Sequence, residues 1–277
     1  MPEISVLLCA YNPGREELCK AVESIISQTF GGWEMILYDD GSDENQAAAI
    51  CEVSHLDARI RYIRNEVHHS LAYGLNESLK MAEGEFIARM DADDISSPER
   101  FQKQLAFLKN HPQYMWVGSN IAMIDKEGEA WGERRYPMVP ENRDFLKYSP
   151  YAHPSIMFRR KLFLAYGGYG SGENACRGED YELLMRFHAS GKQGFNLQEP
   201  LLKYRETWQS YKRRKLYFQL QEVGIRFQGF RRLGILKPRT FIYVIKPIIV
   251  WLMPGRIKLA LRKRKEQLGR AACEPVQ

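Results

Sequence analysis

Phe86-Ile87-Ala88-Arg89-Met90-Asp91-Ala92-Asp93-Asp94 runs from a short apolar segment directly into three carboxylates within four residues. The apolar half suits a buried strand, and the acidic half marks where the chain leaves the sheet. Like charges this close raise one another's pKa and oppose folding, a cost that a cation would remove. Asp91 and Asp93 stand two apart, so in an extended segment both side chains point the same way. Hard oxygen ligands at that spacing suit Mg²⁺ or Mn²⁺, which often bridge to a diphosphate. A solvated acidic turn capping the next helix is the simpler alternative, because Asp-x-Asp is a common pattern. The rest of the chain decides between them.

Ile4-Ser5-Val6-Leu7-Leu8-Cys9-Ala10 is a second apolar run, continuous enough for a parallel strand buried on both faces. At its end, Asn12 can cap a helix and Pro13 fits the first turn. Leu18, Val22, Ile25 and Ile26 then recur at helical spacing. Trp33 to Tyr38 reads as a strand ending at Asp39-Asp40-Gly41-Ser42, followed by a helix of about ten residues. Ile60 to Ile63 is a third strand, Leu71, Leu75, Leu79 and Ala82 mark a helix, and Glu85 to Met90 is the fourth strand. Ser97-Pro98 opens a helix carrying Phe101, Leu105 and Leu108, and Tyr114 to Ser119 is a fifth strand. This alternation predicts an α/β fold, a Rossmann-like, mostly parallel sheet flanked by helices. Tyr11-Asn12, Asp39-Asp40 and Asp91 to Asp94 then share the carboxyl edge of the sheet, where ligands bind. No GxGxxG follows the first strand and no GxxxxGKS/T occurs, which disfavours dinucleotide and P-loop sites. Further along, Ile121 to Tyr136 suggests a hairpin around Lys126-Glu127-Gly128, Ser155 to Phe158 a short strand, and Glu179 to Ser190 a helix burying Leu183, Leu184 and Phe187.

The 277 residues, 44% of them hydrophobic, are enough for a substantial core in one α/β domain with or without an appendage. Cys9, Cys19, Cys51, Cys176 and Cys273 are odd in number and scattered, which argues against a disulfide framework or a zinc site and for a reducing cytoplasm. Met1-Pro2-Glu3 has neither the basic region nor the apolar run of a signal peptide, so export is not expected. The formal charge of +6 is unevenly spread. From Lys203 to Gln277 there are 19 Lys and Arg against 4 Asp and Glu, and before that 21 against 30. An acidic body with a basic tail points to an anionic surface as partner for the tail, membrane or nucleic acid.

Several segments together resemble an inverting family 2 glycosyltransferase of the GT-A fold, of the bacterial surface-polysaccharide type. They are Val6 through Asn12, Ser24 through Thr29, Asp39 through Asp43, Ala82 through Asp94, His153-Pro154-Ser155, and Gly178 through Leu183. The resemblance covers roughly residues 3–205, and the ordered set is far more specific than any one motif. It implies transfer of a sugar from a nucleotide-diphosphate donor to an acceptor hydroxyl, with inversion. The implied cofactor is Mn²⁺ or Mg²⁺, which stabilises the leaving diphosphate. Asp93 is its first-choice ligand, with Asp91 a second ligand or a ribose contact and Asp94 structural. By the same resemblance Asp40 contacts the nucleobase, whose ring N–H a carboxylate can accept. Tyr11 is a candidate to stack on the base, and Asn12 lines the same site or only caps the helix. An inverting transfer needs a general base opposite the leaving group. Asp180 matches the family's Glu-Asp pair, with Glu179 beside it to orient the acceptor; the alternative is a pair of first-turn acids favoured by the helix dipole. His153 either lines the acceptor or diphosphate site or is a structural histidine, and Arg89 pairs with the acidic cluster or with phosphate. Arg177 is a looser candidate, and Cys176 has no activating partner. His68-His69 replaces the family's usual Asn/Gly-rich turn, and no metal role is expected for it.

The expected donor is a UDP-sugar of glucose or galactose type. The expected acceptor is a polyprenyl-diphosphate-linked saccharide in O-antigen or capsule assembly. Residues 1–205 would form the glycosyltransferase domain, about 1–120 binding the nucleotide-sugar and about 121–205 the acceptor, with 206–277 a helical, basic, amphipathic tail. Phe241 to Met253 contains a Lys-Pro break and falls short of the ~20 apolar residues a membrane span needs. Arg231, Arg232, Lys237, Arg239, Arg256 and Lys258 flank it, and Arg262 to Lys265 adds charge. This suggests a peripheral anchor on the inner face of the cytoplasmic membrane; the alternative is a helix pair packed on the catalytic domain. No nucleic-acid module is recognisable, so no nucleic-acid partner is expected. Two other readings compete. A nucleotide-sugar nucleotidylyltransferase would need a Gly-rich, basic loop where the chain has Tyr11-Asn12-Pro13-Gly14-Arg15-Glu16. A non-catalytic adaptor on a degenerate glycosyltransferase fold is disfavoured by retention of the carboxylates.

Overall fold

The computed structural model describes residues 1–170, 178–206 and 216–253. Strand β1 (Ile4–Ala10) lies between β2 (Trp33–Asp40) and β4 (Phe86–Met90), with β3 (Ile60–Asn65) beyond β2, all four parallel. Helices α1 (Arg15–Ile26), α2 (Glu44–Ser54) and α3 (Leu71–Met81) make the crossovers. Ile4, Val6 and Leu8 pack in one core with Leu18, Val22 and Ile25 of α1. Leu7 and Cys9 face the opposite core with Ala72 and Leu75 of α3. Both faces of β1 are covered, which is why its sequence is a continuous apolar run rather than an alternating one. The strand order reverses between β1 and β4, placing a topological switch point at their carboxyl ends.

The remaining elements are β5 (Ile95–Ser96), α4 (Arg100–Asn110), β6 (Trp116–Ile124), β7 (Ala130–Arg134), β8 (Met157–Arg159), α5 (Arg160–Tyr166), α6 (Glu179–Ala189) and β9 (Gly194–Arg205). The sheet order is β3-β2-β1-β4-β8-β6-β9-β5, with β7 paired to β6. The expected hairpin is β6–β7. The expected short strand is β8, but it inserts antiparallel between β4 and β6, so the fifth predicted strand does not neighbour the fourth. Strand β9, parallel to β6, has no clear signature in the sequence. Its exposed Gln198-Glu199-Pro200 interrupts the apolar pattern, and the β6–β9 register shifts where Pro200 offers no N–H. Two helices begin later than their sequence signals: Gly14 rather than Asn12 precedes α1, and Glu99 precedes α4.

Beyond β9, α7 (Leu216–Arg232) and α8 (Phe241–Leu252) send Phe230 and Val244, with Leu233 from the turn after α7, into the core that holds Tyr181 and Leu184 of α6. The expected break at Lys246-Pro247 does not occur, and α8 runs through Pro247. Pro247 cannot donate to the Tyr243 carbonyl one turn back. Arg226 of α7 donates to that carbonyl at 3.3 Å. Among the described residues no helix is long and apolar enough to cross a membrane. Cys176, Arg177, Arg256, Lys258, the run Arg262 to Lys265 and Cys273 lie outside the described residues.

Candidate active site

Strand β4 delivers the acidic stretch to the sheet edge. Arg89, only 1% exposed, turns its guanidinium onto the Met90 carbonyl and Oδ1 of Asp91. Of the two readings of Arg89, the pairing with the acidic cluster is the one made here. Asp93 opens to solvent, yet protein packed around it, together with the Asp91 charge, pushes its pKa up to about 6. Asp94 is fully buried. Its Oδ1 accepts the Arg205 N–H at 2.9 Å, while Oδ2 has no partner among the described residues. Burial, then Asp91 and Asp93, hold its carboxyl well above the usual range.

Arg205, at the end of β9, organises this loop. Its Nε donates to the Asp93 carbonyl at 2.9 Å, and its Nη1 donates to the carbonyls of Asp125 and Lys126 at 2.8 and 2.6 Å. The acidic loop is thereby fastened to the β6–β7 turn. Arg100 of α4 is enclosed nearby and donates to the Arg89 carbonyl at 2.6 Å. Burial pulls its pKa down to about 9, against the opposing pull of Asp94. Sequence reading missed Arg205 and Arg100. Arg205 lies 111 positions from Asp94, and no local pattern links them.

Glu179 and Asp180 form the first turn of α6, entered through Gly178 in the left-handed region at φ +86°. Burial raises the Asp180 pKa, with Asp91 adding to it and Arg89 opposing. Burial, then Asp180, raise Glu179, and Asp91 contributes again. The α6 carboxylates therefore share an electrostatic site with Asp91 and Arg89, about ninety residues away in sequence. His153 is buried and its Nε2 hydrogen-bonds the Tyr169 hydroxyl at 2.9 Å. Burial and the Arg89 charge push its pKa well below the usual histidine value. Of the two readings of His153, this burial and the bond to Tyr169 are those of an enclosed, neutral structural histidine.

The third part of the edge is the end of β2. Asp39 is buried and structural, accepting from the Ser42 N–H at 2.9 Å and the Tyr62 hydroxyl at 3.1 Å. Asp40 accepts from the His69 N–H at 3.2 Å, and its Oδ2 lies 2.9 Å from His68 Nδ1. Burial raises its pKa, against the two histidines. Tyr11 stacks on the His68 ring with centroids 3.8 Å apart. Asn12 adopts φ +44°, giving its N–H to Ser42 Oγ at 2.9 Å and taking the Asp43 N–H on Oδ1 at 3.0 Å. It is not the α1 cap; it staples the loop after β1 to the loop after β2. Tyr11, Asn12 and Asp40 are thus brought together as expected.

A curled, mostly parallel sheet with acidic loops gathered on its carboxyl edge has the layout of the GT-A fold. The structure of S. aureus TarS 1-349 in complex with UDP-GlcNAc matches it with a TM-score of 0.63 at 18% identity, covering 88% of this chain and 70% of that one. The model for Glycosyl transferase family 2 matches residues 5–167, and the chain belongs to that family. "Putative glycosyltransferase EpsE" of Bacillus subtilis (strain 168) is 38% identical over 265 residues, 95% of this chain and 94% of the relative. The Escherichia coli "UDP-Gal:alpha-D-GlcNAc-diphosphoundecaprenol beta-1,3-galactosyltransferase" is 27% identical over 269 residues, 95% of this chain and 96% of that one.

Proposed function

We propose that this glycosyltransferase moves a hexose, with inversion, from a UDP-sugar to a hydroxyl of a lipid-linked saccharide in surface-polysaccharide assembly. The observation that carries the reading is that Asp91 and Arg89, at the end of β4, lie close enough to the α6 carboxylates for their charges to act on them. An acid–base group and a leaving-group site belong on opposite sides of one reacting carbon. The E. coli relative, named for UDP-Gal and a diphosphoundecaprenol acceptor, and the UDP-GlcNAc complex of TarS support the donor and acceptor classes.

In this reading Asp180 takes the proton of the acceptor hydroxyl as its oxygen bonds to the anomeric carbon. The bond from that carbon to the diphosphate breaks on the opposite face, and UDP departs with the electron pair. Glu179 orients the acceptor. Asp40 accepts a ring N–H of the base, and Tyr11 stacks on it. The donors at the end of β4 fit a hard divalent cation, because Asp93 is open to solvent and crowded by Asp91. Mn²⁺ or Mg²⁺ held by Asp93 and Asp91 would neutralise charge on the departing diphosphate. Among the described residues no three His, Cys, Asp or Glu side chains converge on a ready-made cage. Diphosphate and water oxygens would complete the shell. Arg89 holds Asp91 in place for this.

Residues 1–205 would act as the transferase domain and 206–277 as its membrane-associating part at the inner face of the cytoplasmic membrane. Phe241, Ile242, Ile249, Val250 and Leu252 expose apolar side chains along one arc of α8, with exposed Arg231, Arg232, Lys237 and Arg239 beside it.

The test is UDP release from UDP-glucose and UDP-galactose in the presence of Mn²⁺ and a synthetic polyprenyl-diphosphate saccharide. Release is expected from the native chain and lost in folded Asp180→Asn and Asp93→Ala variants. Full turnover by both variants would overturn the assignment.

A further inference from the structure

We infer that the His68 imidazole occupies the nucleobase subsite of the free protein and has to leave before a base enters, an inference that rests on the proposed placement of the base at Tyr11 and Asp40. The Asp40 side chain is only 4% exposed, with His68 Nδ1 2.9 Å from Oδ2 and the His69 N–H on both oxygens. The Tyr11 ring, on a residue 49% exposed, is stacked at an interplanar angle of 21° by the same imidazole. A uracil would use a stacking face and a ring N–H directed at a carboxylate. An imidazole is also a flat nitrogen heterocycle, and here it makes both contacts.

The backbone fixes where His68 sits. Gly41 lies at φ +76°, and a Cβ there would come within 2.4 Å of the His68 backbone nitrogen, so the turn after β2 and the loop after β3 pack in direct contact. His69 is anchored separately, with its ring stacked on Tyr73 at 4.2 Å and its Nδ1 2.7 Å from the Val67 carbonyl. The His68 side chain is 46% exposed, so rotation about its own side-chain bonds swings it into solvent without moving the strand. The binding-competent fraction is then the fraction with His68 turned out, and the apparent affinity for nucleotide is reduced in proportion.

Calorimetric titration of UDP into the full chain tests this with two variants. His68→Ala, at a half-exposed position, is expected to bind UDP roughly two- to tenfold more tightly than the native chain, the worth of one aromatic stack. Equal or weaker binding overturns the inference. The His68→Ala, Tyr11→Ala double variant separates this from the reading beneath it. If it binds UDP more weakly than His68→Ala, the base does sit on Tyr11, whatever His68 does. If the two bind equally, the base does not use Tyr11, and both the placement and the inference fall.

Discussion

The Arg89 guanidinium is enclosed beneath the end of β4 and donates to Oδ1 of Asp91, the first residue after the strand. It offsets part of the charge of a loop carrying three aspartates, and it opposes the raised pKa of Asp93, Asp94, Glu179 and Asp180 alike. Removing the guanidinium leaves the partly exposed Asp91 carboxylate without its charged hydrogen-bond partner, at a cost of about 1.5–3 kcal/mol. Arg89→Met is expected to lose stability in that range in urea denaturation. Mn²⁺ should raise the melting temperature of Arg89→Met by more than it raises that of the native chain, since a cation at Asp91 and Asp93 replaces part of the lost charge. An equal Mn²⁺ effect in both proteins would argue against a cation site there.

Asp180→Asn keeps the size and polarity of the first α6 turn but removes the proton acceptor. A positioned general base contributes roughly 10²–10⁴-fold, so kcat is expected to fall by that factor while the Kd for UDP stays unchanged. The raised Asp180 pKa gives the direction of the pH dependence. The charged form is the active one, so activity is lost as pH falls through the folded pKa. Because that pKa is raised, the acid limb of kcat/KM lies above the ordinary carboxylate value of about 3.9. A limb at or below that value would assign the base to another group.

Asp94 and Arg205 test the architecture without touching substrate. Asp94→Ala leaves the buried Arg205 N–H without its acceptor, which costs about 1–3 kcal/mol. Asp94→Asn retains an acceptor oxygen at the same place and is expected to melt within a few degrees of the native chain. Thermal denaturation of the two variants should separate them in that order, and equal losses would mean that the charge, not the acceptor, is what the site needs.

These contacts mark where the chain could and could not be read in advance. Strand β1 was legible because burial on both faces leaves an unbroken apolar run, and helices α1, α3 and α4 because one apolar face recurs at helical spacing. Asp40, Asp91 and Asp180 stood out because each sits in a short motif at the end or start of an element. Arg205 did not, because its partners are brought to it only by the β5–β9 and β6–β9 pairings. His68 was visible as a departure from the family's turn, but its stack on Tyr11 depends on two loops meeting. Pro247 looked like a helix break because the arginine that relieves it sits on another helix. For His153 and Arg89 two readings stood side by side, because their burial is something no local pattern reports.

The outer arc of α8 separates two ways in which a basic tail can meet an anionic surface. If charge alone drives association, changing exposed apolar residues should have little effect. If the arc inserts in the plane of the interface, both kinds of residue contribute. Phe241 and Ile242 are about half exposed and adjacent. Burying a large apolar side chain is worth about 1.5–3 kcal/mol, so Phe241→Ser with Ile242→Ser is expected to weaken vesicle binding at least tenfold. Arg231→Ser with Arg239→Ser should weaken binding to phosphatidylglycerol vesicles by roughly fivefold per charge and leave binding to phosphatidylcholine vesicles unchanged. Vesicle co-sedimentation of the full chain at low and high salt reads both effects. The serine pair at 241 and 242 should reduce binding at either salt, whereas the arginine changes should matter only at low salt. Native binding at both salts by the 241 and 242 variant would remove α8 from the interface.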